Sequence, residues 1–366
     1  MANTLPTHVV AVETLRRFVG EIFTKAGCTA EEGARISHHL LSANLTGHDS
    51  HGVIRLPRYV QWLQEGKVLA GQALTVVKDG PTHAVLDGNF GFGQTIGPLA
   101  VDYGIAKAKT AGMCVIALRN SGHIGRIGDW GERAAEAGLV SIHFVNVMHG
   151  ELVAPFGGVD RRFSTNPFCV GIPSMDGTPP LLLDFATSLV AEGKVLVASN
   201  GGKPVPEGAL INPDGTLSTD PATLYGPLEE GRRDSAMGAG ALRTFGEHKG
   251  SGLAFMCEIL AGVLTGGGTS GPIPGGKRGR IANGMLSIYL DPTHFGSQHF
   301  VAEARAYSDY VKASRPATPG AEVLIPGEPE ARMRADRLAN GVPLQTDTWA
   351  SIVKTARSLG LSEPNS

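Results

Sequence analysis

Gly91-Phe92-Gly93-Gln94-Thr95-Ile96-Gly97 follows a predicted strand and opens a predicted helix, so its reading decides the fold. Three glycines at such a junction imitate the fingerprint of a doubly wound nucleotide-binding sheet, where backbone N–H groups approach a pyrophosphate. Here the third glycine falls one residue late, and no acidic residue closes a second strand about 20 residues on. The stretch does not predict a Rossmann sheet.

Upstream of it, residues 75–78 and 83–86 read as short strands ending at the turn pair Asp87-Gly88. Downstream, residues 96–111 have helical spacing, 113–118 form a buried strand, 120–128 a loop, 128–137 a helix and 139–147 a strand. Further strands are expected at 169–172, 181–185 and 285–290. Residues 203–221, with an Asn-Pro-Asp-Gly turn at 212–215, and 265–279 are expected as loops. Residues 253–264 are apolar on nearly every face, which predicts a buried helix. The ends differ in texture. Val12, Leu15, Phe18, Val19, Ile22 and Phe23 repeat at helical spacing, Thr29 and Glu32 make a capping box, and residues 301–312 are helical again. The pattern predicts an α/β protein in which residues 1–75 and 300–366 form one helical domain, with a mixed α/β domain, 76–299, inserted between them.

The 366 residues carry 32 basic and 34 acidic side chains, and 42% are hydrophobic. That content excludes a disordered chain, and the near balance of charge removes the field a nucleic-acid binder uses. Residues 1–6 lack a signal-peptide pattern, and no run of 18 apolar residues offers a membrane span. Cys28, Cys114, Cys169 and Cys257 are widely spaced among apolar neighbours, as reduced core thiols of a cytoplasmic protein would be.

Four segments concentrate chemistry. In Gly47-His48-Asp49-Ser50-His51-Gly52-Val53-Ile54-Arg55-Leu56-Pro57-Arg58-Tyr59, two imidazoles, a carboxylate, a hydroxyl and a guanidinium share one interhelical loop. Arg55 could fork onto a carboxylate and Ser50 or His51 could polarise a carbonyl; the plainer reading is a helix-capping loop. In Asn120-Ser121-Gly122-His123-Ile124-Gly125-Arg126-Ile127-Gly128, a glycine-rich turn joins strand to helix and presents His123 as an acid/base. Glu247-His248-Lys249-Gly250 sets a lysine at a helix N-terminus, where an anion would explain it or solvent would. Asp184 follows an apolar strand, able to orient a histidine, accept from a ribose or simply cap a helix.

Together with 154–158, 164–167, the turn at 206–208 and 248–250, these segments resemble, in order and across almost the whole chain, the type-2 malate/L-lactate dehydrogenase family. The resemblance implies a non-Rossmann, malate/L-sulfolactate dehydrogenase-like fold, NAD or NADP as cofactor, and a homodimer acting on a small 2-oxo or 2-hydroxy acid, with neither nucleic acid nor membrane as partner. It makes His123 the acid/base, places His51 and Ser50 beside it with Asp184, and gives Arg55 and Tyr59 to the substrate carboxylate. It assigns Gly125, Arg126, Ile127, Leu182, Leu183, Asp184, Phe185, Ala186, His51, His248, Lys249, Asn283, Gly327 and Glu328 to the cofactor. No metal is implied. Two other chemistries stay open: reduction of a cyclic imino acid, and a metal-dependent hydrolase or lyase built on His48, Asp49, His51 and His123.

Overall fold

The computed structural model describes residues 7–175, 177–199, 204–227, 235, 237–272, 280, 282–296 and 299–364. Residues 1–6, 203 and 273–279, on which the leader reading and parts of two expected loops fall, lie outside them.

A seven-stranded mixed sheet forms the centre. Its order is β2 (Thr75–Asp79), β3 (His83–Asp87), β4 (Met113–Ser121), β11 (Ala282–Leu290), β5 (Val140–Met148), β6 (Phe168–Ile172), β7 (Leu181–Phe185). Only β3 and β4 run parallel; every other neighbouring pair is antiparallel. A doubly wound sheet needs parallel strands joined by crossovers, so the sheet is not of that kind.

The glycine stretch that imitates a fingerprint has another use. Helix α4 (Gly93–Ala111) begins inside it. A Cβ on Gly93 would stand 2.3 Å from the carbonyl oxygen of His123, and one on Gly97 2.6 Å from the Trp130 ring of α5 (Gly128–Glu136). These glycines bring α4 against the His123 loop. Strand alternation then divides β11 between two layers: Met285 and Tyr289 join the cluster under α4 and α5, while Gly284 lies against Ala261 on the opposite face.

That opposite layer is α8 (His248–Cys257) continued by a π-helical turn, Glu258–Val263. Buried Glu258 accepts from Asn146 Nδ2 (3.0 Å), Asn166 Nδ2 (2.7 Å) and Ser270 N (2.9 Å), which satisfies its carboxylate and ties the 164–167 loop to β5. The expectation of a helix buried on all sides is corrected here. Phe255, Met256, Ile259, Val263 and Leu264 are exposed, because only one side of this helix meets the sheet.

The two ends of the chain share a second hydrophobic cluster. Strand β1 (Thr7–Val10) pairs antiparallel with β12 (Val342–Gln345). Val12 to Phe23 of α1 (Val12–Ala26), Ile36 to Leu45 of α2 (Ala30–Leu45), Leu56, Tyr59 and Val60 of α3 (Leu56–Gln64), and Trp349 to Ala356 of α11 (Thr346–Ser358) pack together on one another. Thr29 caps α2 by accepting from Glu32 N at 3.2 Å, and Gly27 stops α1 in the left-handed region. A third cluster, around Val153, Leu210, Leu224 and Leu242, supports α6 (Glu192–Ser199), the hairpin β8 (Leu210–Ile211) to β9 (Leu217–Ser218), α7 (Ala222–Tyr225) and β10 (Ala241–Leu242). Helices α9 (Phe300–Lys312) and α10 (Glu328–Asn340) lie outside these clusters, each with a single buried residue.

Candidate active site

His123 leaves β4 on the loop that leads to α5. Asn283 of β11 fixes that loop: its Oδ1 accepts from Ile124 N (2.9 Å) and its Nδ2 donates to Asn146 O (2.7 Å). Gln94 of α4 donates to His123 O at 3.2 Å. The facing loop follows α2 through two short 3-10 turns, Asp49–His51 and Val53–Arg55. Asn44 braces it from within, accepting from Val53 N (2.8 Å) and donating to Asp49 (2.6 Å). Asp49 is also gripped by both Nη atoms of Arg337 on α10, at 2.6 and 3.0 Å.

These loops bring five predicted residues together: Ser50, His51, Arg55, Tyr59 and His123. The His51 and His123 rings lie 5.7 Å apart and nearly parallel. The Tyr59 hydroxyl is hydrogen-bonded to His123 Nδ1 and accepts from Gln94 Nε2 at 3.3 Å. Ser50 Oγ bonds His51 Nδ1 at 3.1 Å. Arg55 donates from Nε to Ser50 O at 2.6 Å and pairs through Nη1 with Glu192 at 3.0 Å. Burial, with the positive charge of Arg55 beside it, lowers the His123 pKa to about 3. His51 is pushed well below the usual imidazole value by burial, then by His123 and Arg55. Burial raises Tyr59 to about 12, so the phenol keeps its proton.

Two cavities meet here. One, of about 630 Å³, is lined by His51, Arg55, His123 and Glu192; the other, of about 850 Å³, by Gly125, Arg126, Ile127, Asp184, Phe185, Ala186 and Lys194. His51, Thr165 and Ala191 line both. The sequence matches the malate/L-lactate dehydrogenase family model over residues 10–353. The chain belongs to the malate/L-lactate dehydrogenase family. It is 42% identical to hydroxycarboxylate dehydrogenase B of Escherichia coli, covering 97% of this chain and 96% of that one. It is 35% identical to the L-lactate dehydrogenase of Cupriavidus necator over 97% of this chain and 99% of that one. Its fold is similar to that of the malate dehydrogenase of Pyrococcus horikoshii, with TM-score 0.85, 28% identity and 99% of each chain covered.

In this family member the larger cavity is electrostatically dense. Arg126 is buried among acids, at 3.0 Å from Asp129, 3.2 Å from Glu132 and 3.9 Å from Asp184, yet its Nε has no hydrogen-bond partner in the protein. Asp184 Oδ2 accepts from Gly128 N at 2.8 Å, capping α5, and burial raises its pKa. The other residues expected at the cofactor line neither cavity. Leu182 is buried and its N–H donates to Pro326 O (3.3 Å), beside Gly327, whose Cβ would meet Pro180 O at 2.6 Å. Leu183 is exposed, Glu328 is paired with Lys312, and Asn283 is spent on the backbone described above. His248 and Lys249 stand exposed in the first turn of α8.

His48 and His51 turn to different partners, His48 toward Glu330 at 3.4 Å and His51 toward Ser50. Among the described residues no group of three or more His, Cys, Asp or Glu side chains is arranged to hold a metal ion. Sequence reasoning missed Glu192, Gln94 and Tyr225. No signal in the sequence marked Glu192; in the fold its neighbour Gly193, lacking a side chain, lets α6 rest on Ser50.

Proposed function

We propose that this chain is an NAD(P)-dependent oxidoreductase interconverting a 2-oxo acid and the matching 2-hydroxy acid, with His123 as acid and base. The observation that carries the reading is the shared wall. His51 borders both cavities, and His123 and Arg55 border the smaller one. The larger cavity suits a dinucleotide: Arg126, which borders it, keeps a buried Nε without a hydrogen-bond partner, and Gly125, at φ 71°, turns the loop there as few other residues could. Gly125, Arg126, Ile127, Phe185 and Ala186 would hold it, and a nicotinamide bound there supplies the hydride chemistry.

The residues of the chain handle charge and protons. Arg55 holds the carboxylate. With His123 Nδ1–H donating to the Tyr59 oxygen, Nε2 keeps its lone pair for the substrate hydroxyl. A pKa near 3 keeps the free ring neutral at pH 7, ready to accept the hydroxyl proton in oxidation. In reduction the ring must first load a proton. A substrate carboxylate on Arg55 cancels one of the two causes that depress the ring's pKa, so acid binding and proton uptake are coupled.

We also assign a homodimer and a reducing, cytoplasmic setting. The exposed Phe255, Met256, Ile259, Val263 and Leu264, with Tyr307 and Tyr310 on α9, support the first, and four buried free cysteines support the second. Oxidation of NADH and of NADPH with pyruvate, phenylpyruvate, oxaloacetate, 2-oxoglutarate and Δ1-piperideine-2-carboxylate tests the function. Turnover of a 2-oxo acid is expected; turnover of the cyclic imine alone would replace the proposal with imino-acid reduction.

A further inference from the structure

One buried acid in the smaller cavity takes no part in these steps. Glu192 opens α6, where a carboxylate suits the positive end of the helix. Its Oε2 pairs with Arg55 Nη1 at 3.0 Å and its Oε1 accepts from the Tyr225 hydroxyl at 2.5 Å. The Arg55 and Glu192 side chains are each 18% exposed, so the pair stands in the wall and little of it is solvated. Burial by itself would raise the Glu192 pKa, but Arg55 and Tyr225 outweigh it and the net direction is down. The carboxylate is a fixed anion at neutral pH.

Arg55 therefore meets a substrate with Nε spent on Ser50 and Nη1 on Glu192. What remains serves one carboxylate, and the next charge encountered is negative. Arg58 and Asp347, of opposite sign, also border this cavity from exposed positions, and the Arg58 charge reaches Glu192, where it helps keep the carboxylate ionised. We infer that Glu192 sets the charge of the substrate: the cavity takes a 2-oxo monocarboxylate whose far end is uncharged or donates hydrogen bonds, and rejects one carrying a second anionic group. This rests on the 2-hydroxy acid reading above. It goes further by separating the chain from an enzyme for diacids, since a second carboxylate beside Glu192 would be repelled while Arg55 is already engaged.

The test compares 2-oxovalerate with 2-oxoglutarate, equal in carbon number and different by one carboxylate. Steady-state kcat and KM are measured with wild type, Glu192→Gln and Glu192→Asp. Wild type is expected to favour 2-oxovalerate in kcat/KM by ~10- to 100-fold, the scale of a like-charge contact in a partly buried site. Glu192→Gln should shrink that preference about 10-fold, chiefly by lowering KM for 2-oxoglutarate, and Glu192→Asp, which keeps the charge, should retain it. An unchanged preference in Glu192→Gln, or a wild type that favours 2-oxoglutarate, overturns the inference and leaves the oxidoreductase reading standing. Turnover of neither acid with either nucleotide overturns both. Competitive inhibition of the wild type gives the comparison without a variant. Pentanoate is expected to inhibit more strongly than glutarate, and the reverse order also overturns the inference.

Discussion

Gly193→Ala isolates the contact on which the site geometry depends. Its Cβ would stand 2.5 Å from Ser50 Cβ, 2.9 Å from Ser50 Cα and 3.0 Å from Arg55 Nη2. Ordinary carbon contact needs about 3.5 Å, so α6 and the Ser50–His51 loop must part by about 1 Å. Alanine favours a helix over glycine by up to ~1 kcal/mol, whereas overpacking costs about 1–3 kcal/mol, so the clash decides the sign. We expect Tm to fall by ~2–6 °C. The larger effect is on turnover. Ser50 bonds His51, and Ser50 O holds Arg55 Nε, so both the imidazole and the guanidinium move with the loop. A displacement of that size at a reacting centre lowers kcat by ~10²-fold. The assay is thermal unfolding alongside steady-state reduction of a 2-oxo acid. Wild-type Tm together with wild-type kcat would refute the claim that α6 and the His51 loop are held by this approach.

His123→Ala should lower kcat by ~10²–10⁴ while dinucleotide affinity, read by tryptophan fluorescence, stays at the wild-type value; undiminished kcat removes His123 from the chemistry. Arg55→Lys should raise KM for a 2-oxo acid by ~10-fold or more, because an ammonium cannot reproduce the planar fork, and an unaltered KM would show that the carboxylate binds elsewhere. Buried His143 bonds Ser287 and Ser141, and burial lowers its pKa from 6.5 to about 3. Between those values the unfolded chain binds a proton that the folded chain does not, so stability falls as pH drops below 6.5. His143 alone should cost ~2 kcal/mol by pH 5, and urea midpoints that do not change between pH 7 and pH 5 would contradict this.

The sheet's character was legible because it turned on a local count: one residue of misplaced glycine spacing argued against a doubly wound fold. The true work of Gly93 and Gly97 was not legible, since it lies in contacts with His123 O and Trp130, far along the chain. Density of reactive residue types marked the loops carrying His51 and His123. That the two rings stack 5.7 Å apart follows from side chains such as Asn283 and Asn44 bracing those loops, and hydrogen bonds of this kind leave no periodic trace in sequence. Lys249 read as an anion anchor because a cation is misplaced at a helix start; in the fold it is exposed and borders neither cavity. Glu192 went unnoticed for the opposite reason. A glutamate in the first turn of a helix needs no explanation, and only its pairing with Arg55 gives it one.

The ribbon of β1 with β12 also joins segments far apart in the chain. The cluster containing Val12 to Phe92 is completed only by Val342, Leu344, Trp349, Ile352, Val353 and Ala356. Helices α1, α2 and α3 can pack on one another early, but the side of the cluster that β12 and α11 cover stays open through roughly 250 further residues of synthesis, a long loop to close. The central sheet, whose strands all lie between Thr75 and Leu290, can collapse in the meantime and hold α1 near β12 and α11 as these follow. Nascent chains halted short of Val342 should display an apolar face along α1 and α2, the surface a chaperone would recognise.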